Sequence, residues 1–404
     1  MKSLGPQIKV AVVGTGPAGL MAADVLCSAG LQVFLFDKKS GPGRKLLIAG
    51  SSGLNVTFNA SPQKFAEYYG EFSHHMASAL ELFSPLSWLK FINELGIETF
   101  LGTSGRYFVK GLKASNLLRT WMRRLHDKKV ETFFKTEVVD FSLNKAGHVQ
   151  ICLRKENENQ ELNFDAVVFA LGGGSYEEKE KPLRWPNIFS KKFLSFEEFT
   201  ASNVGFEVAW PENFLKEANG LPLKNIVVHS PKGSKQGDLM ITGYGLEGTP
   251  IYFVGQSGEI CLDLKPDLDE PAMLSRIERS KKNLSPIRQA KKNLNLSPAA
   301  LALIFHLTPP AEMTNASVLA GRIKCFPVTL GSPRSLEEAI SSKGGLSFEE
   351  LTSDLMVKKF PGIFVAGEML NWDAPTGGFL IQGCVSQGYS AAQGVLRFLN
   401  SKRP

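Results

Sequence analysis

The sequence predicts an α/β protein in which a Rossmann-like parallel sheet is assembled from both ends of the chain around a β-rich insert. Three observations carry that prediction. A strand, glycine-rich turn and helix open the chain, and a second such unit closes it. Between about residues 190 and 335 the texture changes to short strands, Gly/Pro turns and a lysine-rich helical stretch. At 404 residues the chain also exceeds what one hydrophobic core usually serves.

The elements follow in order. Ile8 to Val13 is a β-rich apolar run bounded by Gly14, as in a strand buried on both faces. Pro17 to Ala29 has helical pattern with Gly30 as its stop, and Leu31 to Phe36 is a second buried strand closed by Asp37. Ser84 to Leu95 (Leu86, Leu89, Phe91, Ile92, Leu95) and Ala114 to Leu125 read as helices. Val130 to Phe141, Val149 to Arg154 and Phe164 to Ala170 read as strands, the last running into Leu171-Gly172-Gly173-Gly174. From Ser190 to Leu264 short strands alternate with turns, as in a small barrel or layered sheet. Pro266 to about Ala320 reads as helical, and Gly321 to Val328 as strand. Gly362 to Gly367 is a strand followed by a glycine-rich loop and a long helix. The expected domains are 1–190 with 336–404, an inserted β-rich domain over 191–265 with 321–335, and a helical subdomain over 266–320.

Composition excludes several classes. A hydrophobic fraction of 43% and a charged fraction of 21% rule out a disordered or fibrous chain. No apolar run approaches the roughly 18 residues of a spanning helix, and Met1-Lys2-Ser3 does not start a signal peptide, so a cytoplasmic protein without membrane contact is expected. Five scattered cysteines without a C-x-x-C pair argue against a disulfide framework or zinc ribbon. Six histidines without H-E-x-x-H argue against a metal enzyme. The net charge of +7 is modest support for an anionic partner.

Gly14-x-Gly16-x-x-Gly19 lies directly after the first strand and opens the first helix at Pro17 and Ala18. The first glycine permits the tight turn, the second lets the backbone approach a pyrophosphate, and the third allows close helix–strand packing. Asp37 stands about 20 residues on, where a carboxylate binds ribose hydroxyls. Gly14→Val is therefore expected to push a side chain into the pyrophosphate. The motif alone does not separate FAD from NAD. The C-terminal unit does: Gly367-Glu368, then Asn371 to Gln382 with Asp373, Gly377, Gly378, Phe379 and Leu380, is the shape that encloses a flavin in glutathione-reductase-like folds. No histidine or cysteine sits in an attachment sequence, so the FAD is expected to be non-covalent. No second G-x-G-x-x-G follows a strand mid-chain, so NAD(P)H would reach the flavin only transiently.

With these motifs in place, the sequence resembles the BaiN/RdsA-like NAD(P)/FAD-dependent oxidoreductase flavoproteins, a group that includes an aminoacetone oxidase, a bile-acid-pathway reductase and a ribosomal-RNA dihydrouridine synthase. The matching stretches are Gly14 to Gly19, Gly43 to Gly50, Gly105 to Phe108, Leu171 to Gly174, Thr242 to Gly248 and Gly367 to Gly383. The resemblance implies FAD contacts at Lys38, Arg44, Lys45, Leu46, Asn55, Ala170, Leu171 and Gly172, and backbone groups at Glu137-Val138-Val139 for the adenine. Much of the family carries S-G-x-G-R-C-N-x-T-N where this chain has Ala49 to Phe58. Asn55 and Thr57 are kept, while Gly53 and Leu54 replace the arginine and cysteine.

For chemistry, the helix beginning near Phe379 would aim its partial positive charge at the pyrimidine side of the flavin. Tyr244 and Asn55 are the candidate catalytic residues, with Tyr107 and Glu247 as further proton donors, and the substrate is expected in a cleft lined by Tyr244, Gly245, Leu246 and Asn55. Three function classes follow. The first is an FAD oxidoreductase acting on a small molecule, with NAD(P)H or oxygen as redox partner. The second is a flavin-dependent RNA-modifying reductase, and the third a non-catalytic flavin-binding module. Arg276, Arg279, Lys281, Lys282, Arg288, Lys291 and Lys292, with Arg123, Arg124, Lys128 and Lys129, are the surface an RNA would use. Oligomeric state is left open.

Overall fold

The computed structural model describes residues 8–50, 53–156, 158–177, 183–279 and 284–402. The chain forms two compact units, Met1–Thr200 with Ser341–Pro404, and Ala201–Ile340.

The first unit is built on a five-stranded sheet that is parallel throughout. Its order is Ile363–Val365, β10 (Ala166–Phe169), β1 (Lys9–Val13), β2 (Gln32–Phe36) and β6 (Glu131–Phe133). Val10, Ala11 and Val12 of β1 and all of β10 are buried because helices cover both faces. The helix α1 (Pro17–Ser28) packs against the long C-terminal helix Phe379–Ser401 so closely that a side chain at Gly388 would strike the Ala18 carbonyl. The two ends of the chain therefore share one core.

Two antiparallel sheets complete the unit. One is β7 (Glu137–Leu143), β8 (Val149–Lys155) and β9 (Glu158–Phe164); the other joins β3 (Asn55–Phe58), β4 (Thr99–Leu101) and β5 (Arg106–Val109) in the order β3-β5-β4. The segment expected as one strand from Val130 to Phe141 is two. Lys135 takes a positive φ of 53°, and Thr136 N–H donates to the Asp37 carbonyl (2.9 Å). The chain thus leaves the parallel sheet at Phe133 and enters the antiparallel one at Glu137. Strand β9, not anticipated, is polar and exposed along most of its length, so it lacks the apolar alternation that reveals a strand.

The second unit has a six-stranded antiparallel sheet in the order Phe206–Glu207, Gly245–Glu247, Gly233–Ile241, Pro222–Ser230, Gly258–Asp263 and Phe326–Leu330. The chain beyond Leu330 returns to the first strand. Gly331 N–H donates to the Glu207 carbonyl (2.7 Å) and Glu207 N–H to the Ser332 carbonyl (2.9 Å), which closes the sheet into a barrel. Helices between Glu270 and Lys324 share a single core with it, Met273, Leu303 and Leu319 burying alongside Phe206, Leu223 and Phe326. The strand expected to resume at Gly321 begins only at Phe326. Asn315 caps a helix over Ala316–Lys324, accepting from Ser317 and Val318 N–H, and Leu319, Ala320 and Ile323 hold that helix on the core.

Cys261 and Cys325 sit with Cα atoms 5.0 Å apart and are disulfide-bonded. The expectation of no disulfide framework is corrected to this one link, which scattered spacing could not disclose because strand pairing brings the two together. Among the described residues no group of acids, histidines and cysteines could hold a metal, and no helix is long and apolar enough to cross a membrane.

Candidate functional site

The carboxyl ends of β1, β2, β10 and the Ile363–Val365 strand open into one cleft in the first unit, where ligands bind in open α/β sheets. The β1–α1 turn shapes its floor. Gly14 has φ +107°, and a side chain there would collide with the Ala170 carbonyl; one at Gly19 would collide with the Gly14 carbonyl. At Gly16 nothing lies within 4 Å of an added Cβ, so this is the residue whose missing side chain leaves space for a ligand. The expectation for Gly14→Val is corrected accordingly: that side chain meets the protein's own backbone and disturbs the turn itself.

The N-terminus of α1 lies in that space with no side-chain cap and no acid in its first turn. Pro17 has no N–H, and the first intrahelical bond is Leu20 N–H to the Gly16 carbonyl (2.9 Å), which leaves the Ala18 and Gly19 N–H groups as anion donors. Asp37 stands opposite. Its carboxylate accepts from Thr15 N–H (2.8 Å), from the Thr15 hydroxyl and from Lys39 N–H (2.8 Å), which fixes its orientation at the end of β2.

Cations come from the next segment. Gly43, at φ +60°, starts α2 (Arg44–Ala49), and Arg44 donates to the Tyr176 carbonyl (2.7 Å). Lys45 donates to the Gly173 carbonyl (2.7 Å). Burial pushes the Lys45 ammonium below its ordinary pKa, opposed by Glu368 and Glu177. Burial likewise pushes Glu368 upward, against Lys45. Lys38 and Lys39 both pair with Glu177, at 3.2 and 3.4 Å. An anion entering here meets several cations and the helix N-terminus together.

Of the residues singled out from the sequence, Gly14, Gly16, Pro17, Ala18, Asp37, Lys38, Arg44, Lys45 and Leu46 line this cleft. So do Val138, Ala170, Leu171, Gly172, Gly367 and Glu368. Gly19 packs beneath the turn. Asn55, Asp373, Gly377, Gly378, Phe379 and Leu380 belong to the same unit but do not line the cleft. Gly378, at φ +92°, lies so close to the Thr57 backbone that a Cβ would come within 2.6 Å of Thr57 N, and it begins the helix Phe379–Ser401. Gln382 holds that helix start, donating to the Phe83 carbonyl (3.2 Å) and accepting from the Thr57 hydroxyl (2.8 Å).

Tyr244 lies in the second unit. Its hydroxyl donates to Glu247, the Arg334 guanidinium sits 4.5 Å over its ring, and burial and Glu247 raise its pKa strongly, so it holds its proton. Leu54, at the family's cysteine position, is a buried core residue. Lys281 and Lys282 lie outside the described residues.

The cleft also gains residues that sequence reasoning did not select, among them Thr15, Lys39, Glu177, Trp185 and Cys384. Thr15 was legible as the x of the first Gly-x-Gly. Trp185, which also lines the cleft, carried no local signal, and its buried indole N–H has no partner among the described residues. The empty volume before Gly16, the uncapped helix, the cation set and this orphan donor fit a dinucleotide.

The fold and cleft define the class: this is an FAD-dependent oxidoreductase that holds its cofactor non-covalently. The chain belongs to the HI0933-like family, whose Rossmann-domain model matches residues 8–394. It is 23% identical over 403 residues to the ribosomal RNA dihydrouridine synthase of Escherichia coli (strain K12), covering 95% of this chain and 97% of that one. It is 21% identical over 411 residues to the 3-dehydro-bile acid delta(4,6)-reductase of Clostridium scindens, covering 95% and 98%. Among solved structures it shares its fold with a flavocytochrome c3 fumarate reductase (TM-score 0.56, 16% identity, 98% of this chain and 79% of that one). It also shares it with a 3-ketosteroid-delta4-(5alpha)-dehydrogenase of Rhodococcus jostii RHA1 (TM-score 0.54, 12% identity, 97% and 98%).

Proposed function

We propose that the chain is a reductase, taking electrons from NAD(P)H and delivering hydride to an unsaturated carbon of a small molecule. The observation that carries this reading is the cleft in the first unit, with Gly16 open before an uncapped helix. It supplies one dinucleotide site, and the sequence has no second G-x-G-x-x-G after a mid-chain strand for a nicotinamide. Donor and substrate therefore use the flavin in turn. The names of the two full-length relatives, a delta(4,6)-reductase and a dihydrouridine synthase, support hydride delivery to a carbon–carbon double bond.

Each part of the chain has a task. Ala18 and Gly19 N–H with the surrounding lysines would hold the pyrophosphate, Asp37 the ribose, and Val138 the adenine edge. Lys45 and Glu368 would flank the ribityl side, and the Gly377–Gly378 turn with the helix start at Phe379 the pyrimidine side. Bound FAD supplies the hydride chemistry itself.

The test is anaerobic mixing of the yellow holoprotein with NADH or NADPH, followed by a panel of conjugated enones. Rapid bleaching and enone-driven reoxidation are expected. A flavin that neither nicotinamide bleaches would remove the reductase reading in favour of an oxidase or dehydrogenase.

A second reading has its own observation. Arg276, Arg279, Arg288, Lys291 and Lys292 are all exposed, and no ion pair neutralises them among the described residues. An RNA substrate would use such a surface. Salt-sensitive binding of a uridine-containing RNA, lost in a Lys291→Glu/Lys292→Glu variant, would select it. Salt-insensitive or absent binding would exclude it.

A further inference from the structure

The small β3-β5-β4 sheet carries two polar side chains, Asn55 and Arg106, without partners among the described residues. Its register sets Asn55 opposite Phe108 and Phe58 opposite Arg106, so Asn55, Phe58, Arg106 and Phe108 share one face. Arg106 is half-buried, and among the described residues its guanidinium makes no ion pair and no side-chain hydrogen bond. Burial pushes its pKa downward and no carboxylate offsets that shift. The Asn55 amide, also half-buried, makes no side-chain hydrogen bond among the described residues.

Their position is specific. Arg106 Nε lies 3.3 Å from where a Cβ on Gly377 would stand, and the Phe379 ring edge lies 3.2 Å from the same point. Phe379 is itself stacked on Tyr68 (4.2 Å) and packed on Phe58 (5.3 Å). The Arg106 guanidinium thus lies beside the glycine turn that opens the C-terminal helix, on the same sheet face as Phe58 and Phe108. A partly desolvated cation with no ion-pair partner among the described residues leaves its pairing to a ligand. Its planar fork suits two oxygens, or an oxygen and an adjacent nitrogen, and Asn55 adds a neutral donor on the same face.

We propose that Arg106, assisted by Asn55, is the recognition site for an anionic oxygen presented beside the Gly377–Gly378 turn. This rests on the reading that the flavin ring lies against that turn. The oxygen has two sources: a carboxylate or enolate of the substrate, or the pyrimidine edge of the reduced flavin. In the first case Arg106 makes the enzyme selective for acidic or enolisable substrates. In the second it favours the reduced cofactor.

The experiment uses FAD-replete holoprotein, wild type and Arg106→Gln, with two readouts. One is the change in flavin absorption on titration with benzoate, with benzamide as the neutral control. The other is the two-electron midpoint potential without any substrate. For a substrate oxygen, wild type prefers benzoate to benzamide, Arg106→Gln weakens benzoate by about tenfold or more, and Arg106→Lys recovers part of the loss. The potential then stays unchanged. For a flavin oxygen, the potential of Arg106→Gln falls by about 30 mV, a tenfold loss of preference for the reduced form, and Arg106→Lys restores it.

Wild-type potential and benzoate response both retained in Arg106→Gln would overturn the proposal. Should Arg106→Gln not fold, the uncharged Arg106→Met takes its place in the same two readouts: benzoate response and potential both equal to wild type would refute the proposal. A protein purified without flavin would instead refute the cofactor reading on which it rests.

Discussion

Replacing Gly16 by valine separates ligand space from protein packing. Gly16 has φ −73° and ψ 176°, an extended conformation that valine adopts without strain, and an added Cβ meets nothing within 4 Å. The apoprotein should therefore fold and melt close to wild type. The valine methyls would stand before the Ala18 and Gly19 N–H groups and keep a pyrophosphate from both. Hydrogen bonds to charged groups contribute about 1.5–3 kcal/mol each, so two lost bonds amount to about 3–6 kcal/mol. That corresponds to about two to four orders of magnitude in Kd for FAD. The assay is fluorescence titration of apoprotein with FAD, beside a thermal melt of the same sample. FAD binding by Gly16→Val within about threefold of wild type, a difference below 1 kcal/mol, would refute the placement of the pyrophosphate at this turn.

Further outcomes follow from the same geometry. Gly14→Ala should lower the melting temperature of the apoprotein itself, since φ +107° and the Ala170 carbonyl leave no room for a Cβ; an unchanged melt would contradict this. Gln382→Leu leaves the Thr57 hydroxyl without its buried acceptor, and should cost about 1–3 kcal/mol in chemical denaturation. Glu368 has a raised folded-state pKa, so its contribution to apoprotein stability is present below the ordinary carboxylate pKa and lost as pH rises through the folded one. Glu368→Gln should therefore gain on wild type in melting temperature as pH rises from the carboxylate range upward; parallel melting curves at all pH values would contradict this.

Much of the cleft was legible because its chemistry is local. The β1–α1 turn needs glycine at three positions for three different reasons, and Asp37 stands at a fixed reach along β2, so a contiguous stretch discloses the floor of the cleft. The glycines at 377 and 378 were equally plain, although their reason, contact with the Thr57 backbone, is not. What sequence could not give depends on pairings between distant segments. Polar β9 is a strand only because β8 lies beside it, and Cys261 meets Cys325 only through barrel register. Trp185 enters the cleft wall and Arg106 reaches Gly377 across the fold, with nothing in their neighbours to announce either. The helix over Ala316–Lys324 runs past Gly321, where the sequence suggests strand, because Asn315 caps it and three buried side chains hold it on the core.

The central claim is that this cleft holds FAD without a covalent bond and that the flavin is redox-active. Acid precipitation of the purified protein, with chromatography of the supernatant, tests it most directly when paired with anaerobic NAD(P)H titration of the native sample. The account predicts a yellow protein that releases stoichiometric FAD, identified as the dinucleotide, and whose flavin band bleaches with the nicotinamide. A colourless protein that takes up no FAD on reconstitution, or flavin retained on the acid pellet, would contradict it.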